Sequence, residues 1–235
     1  MPPAVLFDLD DTLFDHRQSS RAALAQVHGV FANSVAFDAF ERHHTRYLEE
    51  MHIEVLAGRI DLDEARRERF RRVFRALGLD LTDEQTSAAA AAYRSGYVLA
   101  RRPMDGAAEL LAAVHATSRV AVVSNNLLEE QREKLQFIRL DSFVDALVVS
   151  EEAGVSKPDP GIFRIALDRL GVDAADAVMV GDSWAADIVG ARAAGIRAIW
   201  FNPLGAVRPS DDLSGVEEIR SFVPVEQALN AILKR

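Results

Sequence analysis

Five short apolar runs punctuate the chain, at residues 4–7 (AVLF), 119–123 (RVAVV), 146–149 (ALVV), 177–180 (AVMV) and 197–201 (RAIWF). They are continuous rather than alternating, the pattern of strands buried on both faces of a parallel sheet. From residue 104 onward, segments of helical character separate them, near 104–116, 127–139, 160–170, 185–194 and 224–234. Strand and helix in alternation predict an α/β fold with a doubly wound parallel sheet. The first crossover breaks this rhythm. Strand one ends near Asp8, yet the next helix of the sheet begins only around Pro103, and a plain crossover needs only about a dozen residues. The stretch between has no strand-like run and divides into four helices, near 17–32, 34–56, 61–77 and 82–100. Asp61 with Glu64, and Thr82 with Gln85, have capping-box spacing, while Gly58 and Gly78 stand where helices should stop. The expected organisation is a sheet domain, 1–15 with 102–235, and an inserted helical domain, 16–101. The RRPMDG stretch at 101–106 is the return hinge.

Composition narrows the classes of function. Twenty-seven basic residues against 36 acidic ones give the 235-residue chain a net charge of −9, which argues against gripping a nucleic acid polymer or an anionic membrane face. Seven arginines at 59–75 run against that trend, but Asp61, Asp63, Glu64 and Glu68 interleave with them. A solvated helix face laced with ion pairs accounts for the segment better than a polymer site. The chain has no cysteine, so disulfides and thiolate metal sites are excluded. The beginning, MPPAVLFDLDD, lacks the basic n-region of a signal peptide. No apolar run approaches the roughly 18 residues of a membrane span. A cytoplasmic protein is expected, working as a monomer or homodimer. Of the 27 basic residues 24 are arginine, and the three lysines are Lys134, Lys157 and Lys234.

In an open parallel sheet, ligands bind beyond the carboxyl ends of the strands. All five apolar runs end on a polar residue or a glycine–aspartate pair: Asp8, Ser124, Ser150, Gly181-Asp182 and Asn202. The first end reads Asp8-Leu9-Asp10-Asp11-Thr12. Two carboxylates two positions apart can share one pocket, one attacking an electrophile while the other moves protons; a polar turn or helix cap is the competing account. Asp182 leaves the fourth strand, and Asp187 falls in the first turn of the following helix, where the dipole favours a carboxylate. Asp8 and Asp182 on neighbouring strand ends would form an all-oxygen anionic site suited to Mg²⁺. Ser124-Asn125-Asn126 runs straight into a helix, a place where a phosphate binds, although Ser and Asn there also serve as plain caps. Lys157 lies in a loop between prolines in a chain that otherwise prefers arginine. A compact ammonium acts as a point charge where a guanidinium fork does not fit; a stray surface lysine is the alternative.

Four segments in order, FDLDDT at 7–12, VVSNN at 122–126, SKP at 156–158 and GDSWAAD at 181–187, resemble the motifs of the haloacid dehalogenase-like (HAD) hydrolase superfamily. The helical insertion resembles the C1 cap of its subfamily I. SEEAGVSKPDP at 150–160 and WFN at 200–202 look most like the phosphatases related to pyrimidine 5′-nucleotidases and N-acylneuraminate-9-phosphatases. The resemblance implies a Rossmann-like sheet and a Mg²⁺-dependent phosphatase acting on a small phosphorylated metabolite, a nucleoside monophosphate or sugar phosphate. Asp8 would be the nucleophile and form an aspartyl phosphate, and Asp10 the general acid and base. Mg²⁺ would be held by Asp8, Asp182 and the backbone carbonyl of Asp10. Ser124 and Asn125 would bind the phosphoryl oxygens, with Thr12 fixing the loop at the substrate site. Lys157 would neutralise charge, and Asp187 would orient Lys157 or metal-bound water. Halide leaves without a proton, so Asp10 favours phosphoester chemistry over dehalogenation. The alternatives are a phosphotransferase or mutase on a sugar phosphate, and a non-catalytic phosphate-binding regulator. Asn126 stands where glycine is frequent in the family, and its tolerance of left-handed backbone would preserve the loop. The cap would close over the site, with His16 at its entry hinge, either facing the pocket or, the preferred reading, an exposed loop residue.

Overall fold

The five apolar runs become the first five strands of one parallel sheet: β1 (Ala4–Phe7), β2 (Arg119–Ser124), β3 (Ala146–Val149), β4 (Ala177–Gly181) and β5 (Arg197–Phe201). A sixth, β6 (Glu217–Ile219), pairs with β5. It reads EEI and has no apolar run to announce it, because its side chains are exposed or half-buried. The computed structural model describes residues 3–209 and 215–234, so the expected outer limits of the sheet domain, 1 and 235, lie outside them. Two units divide the chain, Met1–Asp15 with Arg102–Arg235, and His16–Arg101.

The strand order is β3-β2-β1-β4-β5-β6. From β1 the chain winds outward through β2 and β3, then returns to β4 on the other side of β1. That reversal opens a crevice at the carboxyl ends of β1, β2 and β4. Register fixes what faces it: Phe7 is level with Val122 and with Val180, so the residue after Phe7 emerges between both neighbours. On one face of the sheet Leu6, Val123, Val148, Met179 and Trp200 share a core with Ile162, Phe163 and Ala166, which lie on helix Pro160–Leu170. Their alternates Val5, Phe7, Val122, Val180 and Ile199 are buried as well. Helices Ala107–His115 and Val225–Leu233 pack on each other, and Phe222 stacks on Phe201 of β5 at 4.2 Å. Burial on both faces is why the strands read as unbroken apolar runs.

In chain order the helices are α1 (His16–Phe31), α2 (Phe37–Leu56), α3 (Leu62–Ala76), α4 (Asp83–Leu99), α5 (Ala107–His115), α6 (Leu128–Phe137), α7 (Ser150–Ala153), α8 (Pro160–Leu170), α9 (Val189–Ala193) and α10 (Val225–Leu233). Asp159 caps α8 through Gly161 N at 2.7 Å with Pro160 in the first turn, and left-handed Gly171 ends it. The helix expected at 185–194 opens instead as a π-helical turn, Trp184–Ile188, before α9. Such turns are found often at functional sites.

The helical unit pairs α1 with α4 and α2 with α3. Gly96 makes the first pairing possible, since a Cβ there would meet Ala23 Cα at 3.2 Å. Thr82 and Gln85 form a complete capping box, at 3.2 and 2.9 Å. Asp61 forms only half of one, accepting from Glu64 N at 2.9 Å, because Arg67 claims the Glu64 carboxylate at 2.6 Å. The arginines of α3 mostly follow the expected solvated pattern, Arg66 with Asp63 at 2.8 Å and Arg72 with Glu68 at 2.9 Å. Arg69 departs from it. It is buried, with its guanidinium carbon 4.8 Å from the Tyr93 ring centroid. His16 is the first residue of α1 rather than an exposed loop residue, and its Nδ1 lies 2.8 Å from the Tyr97 hydroxyl. No helix of the described residues is long and apolar enough to cross a membrane.

His44 is fully buried against Phe70 and Tyr93, and neither ring nitrogen has a hydrogen-bond partner. Burial, with Arg69 and His16 adding repulsion, holds its pKa well below the ordinary histidine value. The unfolded chain therefore takes up a proton near pH 6.5 that the folded chain refuses. Stability from this source is complete above that pH and declines as pH falls through it. We expect the drop in Tm between pH 7.5 and pH 5.5 to be larger in wild type than in His44→Phe. Equal drops in thermal melts of the two proteins would refute this account.

Candidate active site

Asp8 follows β1 directly and is almost fully buried, its N–H donating to Val180 O at 2.9 Å. Beyond it the chain folds back on itself: Leu9 O accepts from the N–H groups of Thr12, Leu13 and Phe14 at 3.2, 2.9 and 2.8 Å. Asp11 takes up the reversal with φ 60°. The tolerance of left-handed backbone noted for Asn126 is not called on in its own loop. Asn126 caps its own turn instead, its Oδ1 accepting from Leu127 N at 2.8 Å, and needs no inverted backbone.

Lys157 Nζ occupies the centre of the site. It donates to Asp8 Oδ1 at 2.5 Å, Asp187 Oδ1 at 2.6 Å and Val123 O at 2.8 Å, so all three ammonium hydrogens are matched. Burial opposes its charge, but Asp187 and Asp8 outweigh burial and hold the pKa above the ordinary lysine value. Asn125 fixes the backbone of this residue from both sides, Nδ2 donating to Lys157 O at 2.9 Å and Oδ1 accepting from Lys157 N at 2.7 Å. Its side chain is therefore committed to the lysine loop. Asp187 lies in the first turn of the helical segment after β4, as its position in the sequence suggested, and is fully buried there on the π-helical turn. Its Oδ2 accepts from Ser183 N at 2.9 Å. Gly181 makes this close approach possible, because a Cβ there would lie 2.6 Å from Asp187 Cβ.

Asp182 leaves β4 with its carbonyl held by Trp200 Nε1 at 2.8 Å and its N–H by Thr12 Oγ1 at 3.1 Å. Thr12 is fully buried, and its hydroxyl lies 3.4 Å from Asp182 Oδ1. Its place is behind the loop, where it steadies Asp182, and not at an exposed face where a ligand would touch it. Carboxylate oxygens of Asp8, Asp182 and Asp187 all lie within 4.8 Å of one another. Burial pushes Asp8 up to about 7, against the pull of Lys157 and with Asp187 adding to the rise. Burial likewise pushes Asp182 up to about 8, helped by Asp8, Asp187 and Asp11. Three carboxyl groups crowd one ammonium, and ionising all three at once calls for more positive charge than Lys157 provides. An all-oxygen donor set with that imbalance fits a hard divalent cation.

Sequence reasoning missed two residues of this site. Lys134 Nζ lies 2.5 and 2.8 Å from the two oxygens of Asp10. Gln131 Nε2 donates to Asp10 Oδ2 at 2.9 Å and to Ser124 Oγ at 2.5 Å. The scarcity of lysine that singled out Lys157 applied equally to Lys134. Its place in a helix with Glu129, Glu130, Arg132 and Glu133 disguised it as a solvated face. Of the five strand ends, those of β1, β2 and β4 build the site. Ser150 instead starts α7, and Asn202 braces the following loop, its Oδ1 accepting from Ala206 N at 2.9 Å.

The sequence model for haloacid dehalogenase-like hydrolases matches residues 2–195. A glyceraldehyde 3-phosphate phosphatase of Pyrococcus abyssi is 30% identical over 203 residues, covering 86% of this chain and 82% of the relative. A pyrimidine 5′-nucleotidase of Escherichia coli is 33% identical over 128 residues, 54% of this chain and 56% of that one. Among solved structures, the HAD hydrolase YfnB of Bacillus subtilis bound to magnesium superposes with a TM-score of 0.77 at 24% identity, over 97% of this chain and 99% of the other. That likeness bears on the fold.

The contact at Gly181 leads to a measurable asymmetry. Gly181→Ala should lose about 1–3 kcal/mol, because the added methyl displaces the Asp187 carboxyl from Lys157. Gly29→Ala, on the exposed side of α1 with nothing within 4 Å of its Cβ, should gain up to about 1 kcal/mol. Urea unfolding of both checks this, and equal stability of the two variants would contradict it.

Proposed function

The chain belongs to the haloacid dehalogenase-like hydrolases and is a phosphoric monoester hydrolase; we propose that it dephosphorylates a small metabolite, a sugar phosphate or nucleoside monophosphate, through an aspartyl phosphate on Asp8 and with Mg²⁺ as cofactor. The observation that carries this reading is the buried Asp8 between Lys157 and Asp182 at the switch point of the sheet, with Asp10 two residues on. Lys157 occupies Oδ1 of Asp8, which leaves Oδ2 to attack phosphorus. Asp10 gives a proton to the leaving oxygen and then takes one from the water that cleaves the intermediate. Gln131 donates to the Ser124 oxygen, so the Ser124 hydroxyl hydrogen turns toward a phosphoryl oxygen, and the main-chain N–H of Asn125 supports a second. Both oxygens of Asp187 are engaged, by Lys157 and by Ser183 N. Its role is to hold Lys157. Asp8, Asp182 and the carbonyl of Asp10 are left to hold the cation. Bound there, Mg²⁺ supplies charge neutralisation between a carboxylate nucleophile and an anionic phosphate.

The Pyrococcus relative acts on glyceraldehyde 3-phosphate and the Escherichia relative on pyrimidine nucleotides; both are small phosphomonoesters of the kind proposed. The helical unit is read as the C1 cap of the family and as the source of substrate choice. An acidic, cysteine-free hydrolase of small metabolites fits a cytoplasmic setting.

The test is phosphate release from a panel of glyceraldehyde 3-phosphate, glycerol 3-phosphate, ribose 5-phosphate, UMP and phosphoserine in the presence of Mg²⁺. At least one should be hydrolysed, and Asp8→Asn should lower turnover by at least about a thousandfold. Excess chelator should abolish activity, and added Mg²⁺ restore it. Silence across the panel, or wild-type turnover by Asp8→Asn, would overturn the assignment. Full activity in chelator would remove the metal from it.

A further inference from the structure

α6 reaches into the site with two side chains that the reaction above does not fully use. Gln131 and Lys134 stand three residues apart, on one face of the helix, and both are buried. Lys134 Nζ, at 2.5 and 2.8 Å from the Asp10 oxygens, sits astride the carboxylate. Gln131 Nε2 bridges Asp10 Oδ2 and Ser124 Oγ, and Asn126 Nδ2 adds a bond to the same Oδ2 at 3.2 Å. Among the described residues, Asp10 is the one ionic partner of Lys134. The Phe14 ring, from the same loop as Asp10, lies 5.3 Å from the ammonium.

A buried lysine needs a carboxylate whatever the chemistry, so pairing alone would mean only that α6 is anchored to the loop. Two features go further. The ammonium engages both oxygens, which fixes the plane of the carboxyl group as well as its place. The Gln131 amide also turns its one nitrogen to Asp10 and Ser124 together, leaving its own Oε1 buried without a partner. An amide serving only packing would turn to satisfy that acceptor. Its orientation is set by the two site residues it joins.

We propose that Lys134, together with Gln131, is the positioning residue of the acid–base step. It holds Asp10 at a fixed spacing from the phosphoryl group that Ser124 hydrogen-bonds, so that the Asp10 proton meets the leaving oxygen. This rests on Asp10 acting as the acid and base of the phosphomonoester reaction. In that reaction Asp8 Oδ2 bonds to phosphorus as the bond from phosphorus to the leaving oxygen breaks, and the proton of Asp10 passes to that oxygen. Water then bonds to phosphorus as the Asp8–phosphorus bond breaks, and Asp10 takes up a proton of the water. Lys134 and Gln131 exchange no proton; they touch Asp10 and Ser124. Misplacing Asp10 therefore falls on the step that needs its proton. An alkoxide leaves poorly without protonation, whereas p-nitrophenolate leaves without help.

The experiment compares kcat/KM for glycerol 3-phosphate, or another alkyl ester of the panel that wild type hydrolyses, with kcat/KM for p-nitrophenyl phosphate. This parameter covers steps through departure of the leaving group and so separates the acid step from hydrolysis of the intermediate. In Lys134→Met the loss should be at least about tenfold greater for the alkyl ester, with partial rescue in Lys134→Arg. Gln131→Met should show the same bias more weakly, and it carries the test if Lys134→Met fails to fold. Asp10→Asn is the reference and should show the largest bias. Equal losses on both esters in the Lys134 and Gln131 variants, with the bias intact in Asp10→Asn, would overturn the positioning role and leave the reaction standing. Absence of bias in Asp10→Asn itself would overturn both.

Discussion

A lysine ammonium withdrawn from water must find compensation for a loss on the order of several kcal/mol, and the geometry of the sheet unit follows from how Lys157 finds it. Asp8 arrives from β1, Val123 O from β2 and Asp187 from the turn after β4. Three segments distant in sequence must end at one level for this to work, and the parallel register, with Phe7 beside both Val122 and Val180, provides that level. The same demand reaches outward. Asn125 clamps the lysine from behind, and Gly181 makes room for Asp187. Asp182 gains less from this arrangement: burial and its neighbours Asp8, Asp187 and Asp11 push its carboxyl up to about 8, against the pull of Lys157. What stabilises the lysine thus leaves a site still short of positive charge.

Much of this was legible in the residues. Strands buried on both faces announce themselves as unbroken apolar runs, and the position of Asp8, Ser124 and Asp182 at their ends follows from chain direction alone. β6 was not legible, because its residues are exposed or half-buried, whereas β3 on the opposite edge is mostly buried and does read as an apolar run. The half-formed box at Asp61 was hidden for a different reason: spacing shows which side chains are able to reach each other, not which competitor wins, and Arg67 won Glu64. Asn126 needs no inverted backbone, because its side chain caps the turn. Lys134 and Gln131 stayed hidden because charge patterning reads a mixed helix as solvated. Here its inward face carries polar groups whose partners lie more than a hundred residues away in the chain.

The helical unit follows a different logic for its buried charge. Arg69 is met by aromatic faces, and His44 stays neutral by refusing its proton. Around Lys157 carboxylates compensate the charge. Beside Arg69 and His44, ring quadrupoles and a depressed basicity do so. The two units thus contrast in kind: one concentrates ionised groups, and the other makes its buried polar groups tolerable in an apolar surrounding.

The division of basic residues, 24 arginines to three lysines, has a practical reach. Lys134 and Lys157 are buried in ion pairs, while Lys234 stands exposed near the end of the chain. Amine-directed acylation of the folded protein therefore has a single lysine to find. Each further acyl group on a lysine marks an opening of the strand ends themselves, so the extent of labelling, read by mass, reports the integrity of the reaction centre.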